Sequence, residues 1–208
     1  MMHNPTRYYF MIRYLPDDAD YSLLAGRCIS TLHGFKTGHQ RDQIGITFPS
    51  WSTLSIGNTI GYVSQSESAL RLLRNRSYFH QMQEYGLFEI GELNVVPDNT
   101  EEVMFIHNRT IGKLFTGDIR RRLARAKRRA EARGEIYQPK PNIERNEIDI
   151  FHSAFIQSKT TGQDFLLHLQ KRSCSNYSFS SDYSGYGFAT NQEYNGSVPE
   201  LTDCLISI

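Results

Sequence analysis

The sequence is poor in the features that would name a chemistry outright. Its 208 residues include only three cysteines, Cys28, Cys174 and Cys204, widely scattered and without a C-x-x-C pair. An odd, dispersed set of thiols indicates neither a disulfide framework nor a zinc ribbon. The seven histidines show no H-E-x-x-H or other tight ligand spacing, and there is no Walker-type or dinucleotide-binding glycine loop. Metal, nucleoside-triphosphate and nicotinamide chemistry are therefore disfavoured, and no cofactor is expected. No apolar run approaches the roughly 18 residues that a membrane helix needs. The N-terminal stretch MMHNPTRYYFMIRYLP has no long apolar core and no small-residue cleavage site, so a cytoplasmic protein without a membrane partner is expected.

Net charge is also nearly absent: 23 Lys plus Arg oppose 22 Asp plus Glu. The balance is a cancellation. Residues 1 to 100 hold 8 basic and 9 acidic side chains, residues 101 to 145 hold 12 and 6, and residues 146 to 208 hold 3 and 7. One basic segment thus sits between flanks that are neutral and acidic. An apolar fraction of 39% excludes intrinsic disorder, and the length suits one large or two small domains.

The periodicity predicts a strand over Arg7 to Leu15, stopped by Pro16 and followed by helix-start residues Asp17 and Asp18. A helix over Ser22 to Phe35 follows, then strands at Ile44 to Phe48 and Ile60 to Val63. Ser66 is a plausible N-cap for a helix reaching His80, and Leu87 to Val96 closes the unit as a strand. The order βαββαβ is that of a ferredoxin-like unit, a scaffold shared by many unrelated functions. The fold expected is α+β: a ferredoxin-like domain over residues 1–97, then a second domain over 98–208 with an arginine-rich helix and short antiparallel strands.

That helix is the unusual segment. From Gly117 to Arg133 the chain reads GDIRRRLARAKRRAEAR, rich in helix formers, opened by Asp118 and closed at Gly134. At 100° per residue, Arg121, Arg122, Arg125, Arg128 and Arg129 share about a third of the circumference, and Ile119, Leu123, Ala126 and Ala130 form a separate apolar stripe. Arg121 and Arg125, like Arg125 and Arg129, stand four apart, where like charges repel. A solvated structural helix would intersperse Glu. Six arginines against one lysine over residues 120 to 129 favour bidentate contacts to phosphate oxygens or guanine edges, so nucleic acid is the leading partner. A charged surface face or a localisation tract is the plainer alternative.

Beyond a short strand at Val103 to Ile106 and this helix, residues 138 to 147 with two prolines read as a linker or extended crossing. Strand-like pieces follow at Ile148 to Gln157, Asp164 to Leu169 and Tyr183 to Ala189. The string SGYGFAT at 184 to 190 imitates the base-stacking strand of an RRM sheet. Too few residues follow it to complete one.

Five stretches in this order carry a resemblance: TLHGF at 31 to 35, IGITFP at 44 to 49, the arginine helix, SKTTGQDF at 158 to 165, and GYGFA at 185 to 189 before a VP dipeptide. Together they resemble the type I-F CRISPR repeat-processing endoribonuclease over nearly the whole chain. The RGE ending of the helix and Trp51 after FPS look more like members carried by CRISPR-associated transposons. The resemblance implies a metal-independent enzyme that cuts CRISPR repeat hairpins in precursor RNA. The 2′-hydroxyl upstream would attack its own phosphate, leaving a cyclic phosphate and a 5′-hydroxyl. The product hairpin would stay bound, making the protein a subunit of the crRNA-guided surveillance complex (Cascade). Its partners there would be the other subunits, chiefly the backbone subunit, with target DNA met only indirectly.

By the same resemblance His33 would be the general base, Ser158 would hold the attacking hydroxyl, and Tyr186 would orient the histidine. Imidazole, with an ordinary pKa of about 6.5, suits that task. On the residues alone, His33 also reads as a helix cap and Ser158 as a turn residue. Phe165, with Gln163 in the same turn, would stack under the terminal base pair of the hairpin, although a phenylalanine in an F-L-L strand reads equally as core. Arg122 and Arg125 would enter the RNA major groove, with Arg121, Arg128 and Arg129 on phosphates. Two positions depart from the family pattern. Where the family carries an arginine and a glutamine, this chain offers His107 and Arg109, and Ala126 stands where a second adjacent arginine is expected. Arg109 can still fork onto guanine; His107 cannot, so the repeat read here differs at that pair or His107 contacts phosphate. A non-cleaving hairpin binder and an arginine-helix DNA-binding protein are the competing classes.

Overall fold

The computed structural model describes residues 5–38, 43–112, 115–135, 149–157, 162–174 and 179–207. The expected linker at 138 to 147 and Ser158 lie outside them. Strand β1 (Tyr8–Tyr14) is dense in aromatic and branched side chains and almost wholly buried, as befits a central strand. It pairs antiparallel with β3 (Thr59–Ser64), which pairs antiparallel with β2 (Ile44–Thr47). On the other edge of β1 lie β4 (Phe88–Ile90) and β5 (Asn94–Val95). These two are the single strand expected over 87 to 96, interrupted where the Gly91 amide bonds the Met11 carbonyl at 2.9 Å. The sheet order β2-β3-β1-β4 with α1 (Tyr21–Gly38) between β1 and β2 is the ferredoxin-like arrangement.

The helix expected over 66 to 80 is broken into α2 (Glu67–Arg74) and α3 (Ser77–Glu84). Ser66 caps α2, its hydroxyl accepting from the Ala69 amide at 3.2 Å. In one continuous helix of about 100° per residue, Phe79 would point about 120° away from Leu73. The break at Asn75–Arg76 brings Leu70, Leu73 and Phe79 all into the core.

A second sheet has the order β10-β6-β8-β7, built from β6 (Glu102–His107), β7 (Phe151–Gln157), β8 (Asp164–Ser173) and β10 (Val198–Pro199). The two-residue strand β9 (Ala189–Thr190) pairs with β6, in parallel. The stretch 183 to 188, expected as strand, is instead a turn-bearing segment. Glycines at 185 and 187 and the Gly187 amide bonding the Ser184 carbonyl at 2.9 Å bend it out of extended geometry.

Helix α1 is shared by both sheets. Cys28, Ile29, Leu32 and Phe35 are buried in the core, with the Tyr62 hydroxyl of β3 donating to the Cys28 carbonyl at 3.1 Å. Gly26 lies against β7 so closely that a Cβ there would come 1.8 Å from the Phe155 carbonyl oxygen. One apolar core joins side chains of both sheets. Near the chain crossing, Arg7 and Glu102 form a bidentate, nearly buried ion pair, and the Arg7 guanidinium lies 4.6 Å from the Phe179 ring centre.

A short α4 (Arg109–Gly112), not expected, follows β6, with Asn108 Oδ1 accepting from the Thr110 amide. The arginine helix is α5 (Thr116–Ala132). It opens two residues before Asp118, at Thr116, and Phe115 at the N-cap position packs on the His168 and Phe151 rings and so sets the start without a side-chain cap. It closes as expected. Gly134 takes φ +71 and the Glu135 amide bonds the Ala130 carbonyl at 2.9 Å, a glycine-terminated cap. The three cysteines are free thiols, and burial pushes Cys28 up to about 12. No helix among the described residues is long and apolar enough to cross a membrane.

Candidate active site and arginine helix

His33 stands on the last turns of α1, next to the fully buried Leu32 and therefore at the rim of the helix's packed face. The segment 183 to 188 crosses this rim. Tyr183 and Phe188 are buried at its two ends, and the Ile46 amide of β2 holds the Gly187 carbonyl at 3.0 Å. Gly187 has φ +82, and a Cβ would come 2.8 Å from Leu32 Cδ2, so conformation and space both require glycine. Between these anchors the turn from Ser184 to Gly187 presents Gly185 and Tyr186.

Tyr186 lies over His33, the ring centres 4.4 Å apart and the planes 18° from parallel. The Gly185 carbonyl is 3.2 Å from His33 Nδ1. A carbonyl oxygen has no proton to give, so this bond forms only when Nδ1 carries the hydrogen. The neutral ring then keeps its lone pair on Nε2. Nε2 has no hydrogen-bond partner among the described residues.

Two further rings meet Tyr186 edge-on. His107, at the end of β6, has its ring centre 6.4 Å away at 86°, and Phe165, near the start of β8, lies 6.4 Å away at 73°. Four residues singled out in the sequence, from α1, β6, β8 and the 184–187 turn, thus converge. Phe165 is 36% exposed, which removes the core alternative and leaves an aromatic surface beside the histidine. Burial, then the nearby Arg109 and His168 charges, push His107 down to about 4. At neutral pH it is an uncharged ring that can donate and accept, better suited to a base edge than to a phosphate charge. Gln163 and Arg109 are exposed nearby in sequence to Phe165 and His107.

On α5, Arg120, Arg121, Arg125, Arg128 and Arg129 are exposed, and nothing is described of the Arg122 side chain. Lys127 meets Glu131 at 3.9 Å. Among the described residues no carboxylate lies within ion-pair distance of Arg125, Arg128 or Arg129. The apolar stripe expected on this helix is only partly covered: Ala130 is buried, whereas Leu123 is 43% exposed. On the described part of the helix, Arg125, Arg128 and Arg129 therefore present open guanidiniums.

Two contributors escaped the sequence reading. Gly185 acts through its carbonyl, which no side-chain pattern reveals. Lys36, three residues after His33 and on the same helix face, is buried, and its Nζ donates to the Ser184 carbonyl at 3.1 Å. Burial pushes its ammonium down to about 8, with Asp182 pulling the other way. The i,i+3 spacing was the available signal.

With this geometry in place, comparison with known proteins is informative at the level of family. A family model described as CRISPR-associated protein (Cas_Csy4) matches residues 9–201. No curated protein matches the chain. Among solved structures, one described as "Csf5, CRISPR-Cas type IV Cas6 crRNA endonuclease" is similar at 12% identity over 88% of this chain and 97% of that one, with a TM-score of 0.32. A likeness of that size carries no argument.

Proposed function

The chain belongs to the Cas_Csy4 family of CRISPR-associated proteins, and from that membership we propose that it is a CRISPR repeat-processing RNA endonuclease with His33 as its general base. The observation that carries the reading is the His33–Tyr186 stack with Nδ1 held by the Gly185 carbonyl. This arrangement leaves Nε2 as the basic nitrogen and holds the ring in one orientation, the two requirements for proton transfer at a fixed substrate atom. In the proposed step Nε2 takes the proton of the ribose 2′-hydroxyl. O2′ then bonds to phosphorus and the P–O5′ bond breaks. The imidazolium returns a proton to the departing O5′, giving a cyclic phosphate and a 5′-hydroxyl. The Gly185 carbonyl also stabilises the charged ring between these transfers, because Nδ1–H remains its donor.

Residues 1–97 serve in this reading as the scaffold and 98–208 as the RNA-binding unit. Ser158 would hold the 2′-hydroxyl, and Phe165 would stack on the terminal base pair beside the scissile phosphate. The exposed arginines of α5, together with Arg122, would grip a stem whose end opens its major groove, since continuous A-form RNA is too narrow there to admit a helix. The electron flow requires no metal. Retention of the cut hairpin would make the protein a subunit of a surveillance complex, and Trp51 and the RGE sequence point to the transposon-carried branch.

The test uses a cognate repeat hairpin in EDTA. Cleavage is expected with the native RNA and not with a deoxyribose immediately upstream of the cut, which should still bind. His33→Ala should abolish cleavage with affinity retained. Absence of cleavage by the native protein, or cleavage that survives His33→Ala, overturns the proposal and leaves a hairpin-binding protein without catalysis.

A further inference from the structure

Two adjacent carbonyls of the 184–187 turn are held by two side chains of one helix face. His33 Nδ1 meets the Gly185 carbonyl at 3.2 Å, and one turn on, Lys36 Nζ meets the Ser184 carbonyl at 3.1 Å. The peptide between them belongs to Gly185, which has no Cβ to restrict its rotation. The direction of the Gly185 carbonyl therefore depends on what holds the peptide before it. The Ser184 carbonyl already closes the turn by accepting from the Gly187 amide at 2.9 Å, and Tyr183 and Phe188 anchor the segment, so the turn forms without Lys36. What Lys36 adds is a tie between that turn and α1. A buried ammonium with no carboxylate in ion-pair distance among the described residues is an expensive way to fill space, and an apolar side chain would do so more favourably.

We propose that Lys36 is a positioning residue that, by tying the Ser184 carbonyl to α1, aims the Gly185 carbonyl at His33 Nδ1 and so keeps the reactive lone pair on Nε2. The inference rests on the endonuclease reading for its catalytic consequence, but its structural core is the tautomer of one histidine. Tyr186 shares in it, because the same turn sets its stack on His33. Lys36 touches no reacting atom.

Histidine side-chain 15N NMR of the full-length protein at about pH 7.5, where an ordinary imidazole is mostly neutral, reads the tautomer directly, with the His33 signals identified by their loss in His33→Gln. The native protein should show His33 with its proton on Nδ1. Lys36→Met should shift the population toward the Nε2–H form. It should also lower single-turnover cleavage of saturating hairpin on the order of 10- to 100-fold, as expected for a misaimed catalytic group, with hairpin affinity kept within about threefold. Lys36→Arg, which keeps a cationic donor, should restore part of both. Lys36→Leu repeats the measurement should Met lower the melting temperature. An unchanged His33 tautomer in the apolar variants overturns the proposal whether or not RNA is cut, and so does an altered tautomer with native cleavage. If the native protein cuts nothing while the tautomer responds as described, the positioning role stands and the endonuclease reading falls.

Discussion

Replacing Arg125 and Arg129 by Gln separates an RNA-gripping helix from a merely solvated one, because only the first reading predicts a loss of binding while the free protein gains stability. Both guanidiniums are exposed, and neither has a carboxylate within ion-pair distance among the described residues. The one weak contact in play is Arg125 Nε to the Arg121 carbonyl at 3.4 Å. The native helix carries like charges four apart at 121/125 and 125/129, each pair unfavourable by about 0.2–0.5 kcal/mol. The double substitution removes both, so the free protein should melt no lower, and up to about 1 kcal/mol more stably. On RNA the sign reverses. Each phosphate contact contributes about 0.7–0.9 to the slope of log affinity against log salt, so losing two lowers the slope by about 1.6. Between 50 and 200 mM salt the native protein should therefore lose about ninefold more affinity than the variant. Filter binding of a cognate hairpin at four or five salt concentrations, beside thermal melts of the free protein, measures both. An unchanged slope removes α5 from the interface. A melting temperature lowered by several degrees would mean that these side chains hold the fold together.

Two further expectations concern the frame of the site. Gly26→Ala would place a methyl 1.8 Å from the Phe155 carbonyl oxygen, with backbone on both sides of the contact. The helix-propensity gain of about 1 kcal/mol should be outweighed by displacement of α1 from β7, for a net loss of about 2 kcal/mol in urea unfolding; an unaltered midpoint would refute the packing argument. His107 titrates at about 4 in the fold against 6.5 unfolded, so the unfolded chain binds the proton first as pH falls. Stability is then whole above pH 6.5 and is lost progressively toward pH 4. The loss is at most about 3 kcal/mol and nearer half that once the residue's partial exposure is allowed for. His107→Asn should flatten this acid limb in melts from pH 4 to 7, with Arg109 and His168, the charges that face the ring, left in place. An equally steep limb in the variant would assign the acid sensitivity elsewhere.

The periodicity of the first half was enough to determine its architecture. The β-rich run of β1, the alternation at Ile44 to Phe48, the short run at Ile60 to Val63, the Ser66 cap and the stripe of α1 depend on neighbours within a few residues, and the ferredoxin-like reading of their order agrees with the sheet order β2-β3-β1-β4. The arginine helix was legible for the same reason, and Gly134 closed it where a left-handed residue was needed. His33, His107, Phe165 and Tyr186 could be named one by one from their local strings. Their meeting could not, because it depends on a turn 152 residues from His33 in sequence, as the hydrogen bond to Gly185 shows. The stretch 183 to 188 reads locally as strand, and only docking on β2 and α1 decides that it turns. Likewise α2 and α3 separate because the core needs Leu73 and Phe79 on one side. Which imidazole nitrogen is free, which lysine is buried and which phenylalanine remains exposed are questions about long-range contacts, and only the tertiary structure decides them. Sequence alone determined that one concentrated cationic face lies on an otherwise neutral-to-acidic chain; the fold decided that Arg125, Arg128 and Arg129 stand exposed on it while a histidine, held by the Gly185 carbonyl and stacked under Tyr186, waits at the rim between two sheets.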